Sequence, residues 1–284
     1  MSGLVNQAGT SSAGAVTWLF VPGDRPERFD KAVTSGADAV ILDLEDAVAE
    51  DGKEQARESI GSWLSQGRAW VRLNASGTAW YAGDVESLRR APGLLGVVLP
   101  KAEDPALLRQ LRNRLGRSVG VVALVESALG VHRAVDIASC RAVDRLAFGS
   151  IDYSGDIGAD GSWDALLLAR STLVLASRLA GKEGPIDGVT TALKDPGQLA
   201  ADVAAARALG FTAKLCIHPA QLGPVADGFA PSPADVDWAE RILAAIDGAA
   251  TSGGAGRGAV AVDGAMIDRP VVTRARRILD ARRS

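Results

Sequence analysis

The chain has 284 residues, of which 47% are apolar and 23% charged, and its formal net charge is −3. That length fits one large domain with an appendage, able to bury about 75% of the surface its unfolded form exposes, and the slightly acidic balance argues against nucleic acid or an anionic membrane as the main partner. Cys140 and Cys216 are the only cysteines and there are only two histidines, which excludes a disulfide framework, points to a reducing cytoplasm and leaves oxygen atoms as the ligands for any metal.

Residues 1–15 lack both a basic start and an apolar core, so they are expected to form a disordered tail rather than a signal peptide. No apolar run reaches the roughly 18 residues of a membrane span. From there on, β-branched apolar runs recur: VTWLFV from Val16, DAVILDL from Asp38, AWVRLN from Ala69, LGVVLP from Leu95, GVVALV from Gly120, DRLAFG from Asp144, GPIDGV from Gly184 and AKLCIH from Ala213. Helical periodicity fills the gaps, over Glu54–Leu64, Pro105–Leu115, Trp163–Ala180 and Gln198–Leu209, the last followed by Gly210 as a helix-ending glycine. Asp24-Arg25-Pro26-Glu27 resembles a capping box. Eight alternating strand–helix units predict a closed (β/α)8 TIM barrel over residues 16–230. The competing open, doubly wound sheet lacks its glycine fingerprint after the first strand. Residues 231–284 then read as a C-terminal helical extension: a helix over Ala234–Ala249, a glycine-rich linker at 251–258, a short strand and a basic final helix. Too small to fold alone, the extension must pack on its own barrel or on a neighbouring subunit.

Barrel enzymes carry their chemistry at the C-terminal ends of the strands, which singles out the polar residues there. Asp43 and Glu45 share the face of Ile41, and Arg72 and Asn74 that of Trp70. Glu126 and Asp152, one strand–helix unit apart, are expected at the tops of adjacent strands, where two converging carboxylates share a proton or bind a hard cation such as Mg²⁺; each would equally serve as a helix cap or an arginine partner. Arg72 needs a pairing carboxylate if it faces inward, and Asp43 or Glu45 would supply it, while its fork also suits a substrate oxygen. Lys101 suits a phosphate, a salt bridge or a Schiff base. His218 reads as a loop anchor. Arg25, Arg28 and Lys31 form a basic group after the first strand, suited to solvation or to phosphate.

The segments WLFVPGDRPERFDKA, ADAVILDLEDAVAEDGKEQAR, VRLN, VVLPKAE, ALVESALG, LAFGSIDYSGDIG, KLCIHPAQ and GAMIDRP together resemble the citrate lyase beta-subunit family, which includes malyl-CoA, citramalyl-CoA and related β-hydroxyacyl-CoA lyases. The resemblance runs from Trp18 to about Ala275 and implies a barrel in homotrimers or hexamers with Mg²⁺ as cofactor. It implies Glu126 and Asp152 as metal ligands, Arg72 at the substrate oxygen, and Asp43 and Glu45 as the groups that orient Arg72 and metal-bound water. Asp268, in the GxMIDxP segment, matches an acid/base that the family brings to a neighbouring subunit's site; pattern reading alone makes it a helix cap. Arg25, Arg28 and Lys31 would hold the phosphates of a CoA thioester. The function implied is Mg²⁺-dependent cleavage or formation of a β-hydroxyacyl-CoA, giving an acetyl-CoA-type product and a keto acid. A citryl-carrier-protein lyase subunit, a metal-dependent 2-keto acid aldolase and a non-catalytic scaffold subunit are the alternatives.

Overall fold

The computed structural model describes residues 12–251, 260–262 and 265–283. The chain divides into two compact units, Met1–Phe229 and Ala230–Ser284.

In the first unit eight parallel strands close into a barrel in chain order: β1 (Thr17–Pro22), β2 (Ala39–Asp43), β3 (Ala69–Arg72), β4 (Leu94–Leu99), β5 (Gly120–Val125), β6 (Arg145–Phe148), β7 (Ile186–Asp187) and β8 (Ala213–Cys216). Thr17 pairs with Lys214 where β1 meets β8 and seals the ring. Around it run α1 (Phe29–Val33), α2 (Lys53–Trp63), α3 (Tyr81–Leu88), α4 (Pro105–Leu115), α5 (Ala128–His132), α6 (Ala134–Ser139), α7 (Ser150–Ile157), α8 (Leu167–Leu179), α9 (Pro196–Leu209) and α10 (Leu222–Phe229). Each strand run in the sequence becomes a barrel strand. The helices differ more at their edges. Helix α8 starts at Leu167 instead of Trp163, because the Asp160 side chain accepts from the Ser162 amide and turns the chain just before it. The capping box expected at Asp24 is absent: Arg25 is the cap residue of a short 3-10 turn, with no side-chain cap bond. Asp104 and Asp195, which sequence did not single out, cap α4 and α9, with proline at the first helical position, and Gly210 ends α9 at φ +107°.

Alternation along the strands sorts the side chains into two cores. Trp18, Ile41, Trp70, Val98, Val122, Leu124, Ala147, Ile186, Ala213 and Leu215 fill the barrel, while Leu42, Leu44, Val71, Val97 and Leu99 pack outward in the larger cluster beneath the helices. The lower barrel is solid. Trp18 and Trp70 meet edge to face at 5.0 Å, and a Cβ on Gly96 or Gly120 would lie 2.2 or 2.3 Å from the Trp70 ring, so only glycine leaves room for the indole. Below them the buried Arg145 closes the end: Nε donates to Gly184 O, Nη1 to Ser12 O and Ala15 O, and Nη2 to Thr212 Oγ1. Ser12 and Ala15, placed by sequence in the disordered tail, are therefore tied to the barrel floor; residues 1–11 lie outside the described residues. The acidic and basic strand-end residues named from sequence lie at the opposite end.

The second unit comprises α11 (Pro233–Thr251), the antiparallel pair β9 (Val260–Val262) and β10 (Ala265–Ile267), and α12 (Arg269–Arg283). Its core joins Ala239, Ile242, Ile267 and Ala275, and Arg274 lies 4.7 Å over the Trp238 ring. The sequence suggests one strand here; two form, paired antiparallel. The linker expected at 251–258 falls, beyond Thr251, outside the described residues.

Candidate active site

Asp43 and Arg72 are the last residues of β2 and β3 and face each other in register. Strand alternation carries both to the barrel's inner face, at its C-terminal end. Their side chains form a two-pronged pair, with Arg72 Nε 2.7 Å from Asp43 Oδ1 and Nη2 2.6 Å from Oδ2. Asp43 also accepts from the amides of Glu45 and Ala47 at 2.9 and 3.1 Å. A carboxylate with four donors is fixed in place, and the planar fork fixes Arg72 in turn. The remaining nitrogen of Arg72, Nη1, lies 3.0 Å from Glu45 Oε2 and 3.2 Å from Asp46 Oδ2, and the Phe20 ring lies 4.7 Å from the guanidinium carbon. Three carboxylates hold the guanidinium charge firmly, raising its pKa against the cost of burial. The pairing expected of an inward arginine is thus present, through both acids named from sequence and through Asp46, which sequence did not single out.

Glu126 follows β5 directly and is buried, as are Asp43, Glu45 and Arg72. Its Oε1 accepts from the Lys101 amide at 2.8 Å, while Oε2 is enclosed and has no hydrogen-bond partner. Gly149, one residue past β6, allows the carboxylate this position, since a Cβ there would come within 2.4 Å of Oε2. Asp152 is not at a strand top as its spacing suggests. Strand β6 ends at Phe148, and Asp152 sits exposed in the first turn of α7. It still acts electrostatically on Glu126: burial first, then the Asp152 charge, push the Glu126 carboxyl up to about 7. Glu45 is pushed up to about 8 by burial, which outweighs the pull of Arg72 and is reinforced by Glu126, Asp46 and Asp43. Negative charge exceeds positive at this mouth, the condition under which carboxyl groups hold a proton or bind a hard cation. Among the described residues no three His, Cys, Asp or Glu side chains converge as a cage. A buried carboxylate oxygen without a partner, next to a second carboxylate, fits Mg²⁺ of the kind that keeps several waters and takes one or two protein oxygens.

The other sequence candidates are arranged less tightly. Arg25 and Arg28 are exposed after β1, beside the acids that precede them, at 3.9 Å from Asp24 and 3.8 Å from Glu27; Lys31 is exposed in α1. All three lie at the same end of the barrel as Arg72. The Lys101 side chain is exposed. His218 Nδ1 accepts from the Ala220 amide and caps a 3-10 turn, the anchoring role read from sequence. Asn74 bonds to the buried Asp84, which also pairs with Arg57, so it braces α3. In the second unit Asp268 is exposed, and its Oδ1 accepts from the Val271 amide at the start of α12, the helix cap that pattern reading describes. Besides Asp46, sequence reasoning missed Lys53: its buried Nζ donates to the carbonyls of Leu44 and Glu45 at 2.8 and 2.7 Å, pinning the loop that carries Glu45 and Asp46. A lysine opening a helix gives no signal of that kind.

Fold and site together define a (β/α)8-barrel protein with an acidic, oxygen-lined mouth built around one arginine. More particularly, the chain belongs to the HpcH/HpaI aldolase/citrate lyase family, which it matches over residues 17–219. It is 39% identical over 270 residues to a citrate lyase subunit beta-like protein of Mycobacterium tuberculosis, covering 92% of this chain and 93% of that one. To a (3S)-malyl-CoA thioesterase of Cereibacter sphaeroides it is 32% identical over 268 residues, covering 92% of each. Among solved structures it resembles the protein CitE of Mycobacterium tuberculosis in complex with magnesium, acetoacetate and coenzyme A, with a TM-score of 0.83 and 36% identity over 96% of this chain and 99% of that one. Relatives that are lyases and CoA thioesterases support an enzyme. Both the family resemblance and the barrel expected from sequence hold.

Proposed function

We propose that the protein is a Mg²⁺-dependent carbon–carbon lyase acting on a β-hydroxyacyl-CoA thioester. The observation that carries this reading is the buried, unpartnered Glu126 Oε2 beside the Asp152 charge, at the mouth that also presents Arg72. Glu126 and Asp152 would hold the ion, which when bound supplies a Lewis acid for the hydroxyl and carboxylate oxygens of the acyl group. As the β-hydroxyl gives its proton to the Asp268 carboxylate and its carbon becomes the keto carbonyl, the carbon–carbon bond breaks and its electron pair moves into the thioester as an enolate. Arg72, held by Asp43 and Glu45, stabilises the charge that develops on the thioester oxygen. Asp268, delivered by a neighbouring copy through the 231–284 extension, protonates the enolate carbon, or removes that proton in the synthetic direction. Arg25, Arg28 and Lys31 meet the CoA phosphates. A homotrimer or hexamer in the cytoplasm completes the reading; two buried free thiols suit that compartment, and no helix among the described residues is long and apolar enough to cross a membrane.

The test is turnover of malyl-, citramalyl- and hydroxymethylglutaryl-CoA with Mg²⁺, with identification of the products. A keto acid together with an acetyl-CoA-type thioester, abolished by exhaustive EDTA treatment and restored by Mg²⁺, is expected. Turnover that survives EDTA would overturn the metal reading. The malyl-CoA thioesterase relative favours a second reading, hydrolysis of the same thioester; it predicts free CoA and an intact hydroxy acid instead of two carbon fragments.

A further inference from the structure

Lys101 is the one non-glycine residue with positive φ among the described residues, at +47°. Such a conformation crowds an L side chain, and it persists only where the surroundings impose it. The hydrogen-bond ladder shows what does so. At three neighbouring strand ends the residue just past a register pair donates to the next strand: Gly23 N to Asp43 O at 2.8 Å, Leu44 N to Arg72 O at 2.9 Å and Leu73 N to Val98 O at 3.1 Å. Leu99 is in register with Ala123; carried one residue further, to Pro100 opposite Leu124, the same pattern would have Lys101 N donate to Leu124 O. Instead Ala102 N makes that bond, at 3.1 Å. One extra residue has been let into the end of β4, and its displaced amide turns to Glu126 Oε1 at 2.8 Å.

We infer that this bulge is a positioning device: the left-handed backbone at Lys101 aims an N–H that grips one oxygen of Glu126 and leaves the other, Oε2, uncommitted. Bulges near functional sites serve to re-aim a group in this way. The backbone does the work, and the exposed lysine side chain does not. Gly149 also lies against Glu126, since a Cβ there would come within 2.4 Å of Oε2 and 2.5 Å of the Glu126 Cβ. Lys101 is a positioning residue, acting through Glu126. The inference rests on the reading of Glu126 as a metal ligand only where it concerns the ion's affinity; the orientation of the carboxylate stands apart from it.

Substitutions at one position separate backbone from side chain. Lys101→Gly and Lys101→Asn tolerate the left-handed region, whereas Lys101→Val and Lys101→Thr, being β-branched, do not; all four remove the charge. The full-length variants are titrated with Mn²⁺, the free ion being followed by electron paramagnetic resonance, and their metal-free crystal structures are determined. The Gly and Asn variants are expected to bind Mn²⁺ as the wild type does, and the Val and Thr variants roughly 10- to 100-fold more weakly, the range typical when a group orienting a metal ligand is lost. In the crystals Glu126 should keep its bond to the residue-101 amide in the first pair and lose it in the second. Lys101→Thr carries the comparison should Lys101→Val fail to fold. Equal affinities and equal Glu126 orientations across the four, retained or lost alike, overturn the inference. If the wild type binds no Mn²⁺, the metal reading fails, and the crystal structures still decide the role of the bulge.

Discussion

Arg72 is held by a two-pronged bond to Asp43, and that geometry is particular to a guanidinium. Arg72→Lys keeps the charge but loses the fork, and under the lyase reading it should lower kcat by about 100- to 1000-fold, the loss seen when one preorganised oxyanion donor is removed; steady-state kinetics alongside circular dichroism, to show an unchanged fold, check this. Glu126 gives a pH dependence with two opposite signs. Its carboxyl is raised from 4.5 to about 7, so the folded chain holds this proton more tightly than the unfolded chain. Its contribution to stability is therefore complete below pH 4.5 and is lost as pH rises through about 7. Cation binding needs the ionised form, so calorimetric Mg²⁺ affinity should rise roughly tenfold between about pH 6 and about pH 8. A flat profile would mean that Glu126 is not a ligand.

Among the elements, β7 is the weakest, with only two residues in the barrel. It is held instead by charge: the fully buried Asp187 takes Arg170 Nε from α8 and Lys214 Nζ from β8, each at 2.9 Å. Asp187→Ala would strand two buried cations and should cost about 3–5 kcal/mol of unfolding free energy in urea titrations. The strands were legible in the sequence because a continuous buried run bounded by turns is a local signal; even AWVR, closing on a charge, reads correctly, since Ala69 and Val71 make one apolar face and Arg72 only ends the face begun by Trp70. Strand parity likewise put Asp43, Glu45 and Arg72 on the inner face. The Asp187 network and the bulge at Lys101 were not legible, since both depend on how one strand end meets its neighbour. Asp152 was misplaced for a related reason: spacing along the chain gives the strand–helix unit but not the point within it where the strand stops.

At the scale of the whole molecule, the proposed arrival of Asp268 from another copy can be tested without any structure. Arg72→Lys and Asp268→Asn would each be impaired alone, and mixed subunits, dissociated and reassembled together, should regain activity, because one interface then joins an intact Arg72 to an intact Asp268. Mixing without gain would mean that both groups serve one and the same subunit. The floor of the barrel bears on traffic. With Trp18 and Trp70 filling the lower interior and Arg145 fastening the N-terminal segment across it, entry and exit share a single doorway. Under the lyase reading, in which one molecule becomes two, a single doorway would impose a queue: the keto acid, bound deepest, would wait behind the bulky thioester above it. The keto acid should then inhibit competitively against substrate and the acyl-CoA product noncompetitively; under that same reading the sealed floor, far from the chemistry, would set the order in which the products leave.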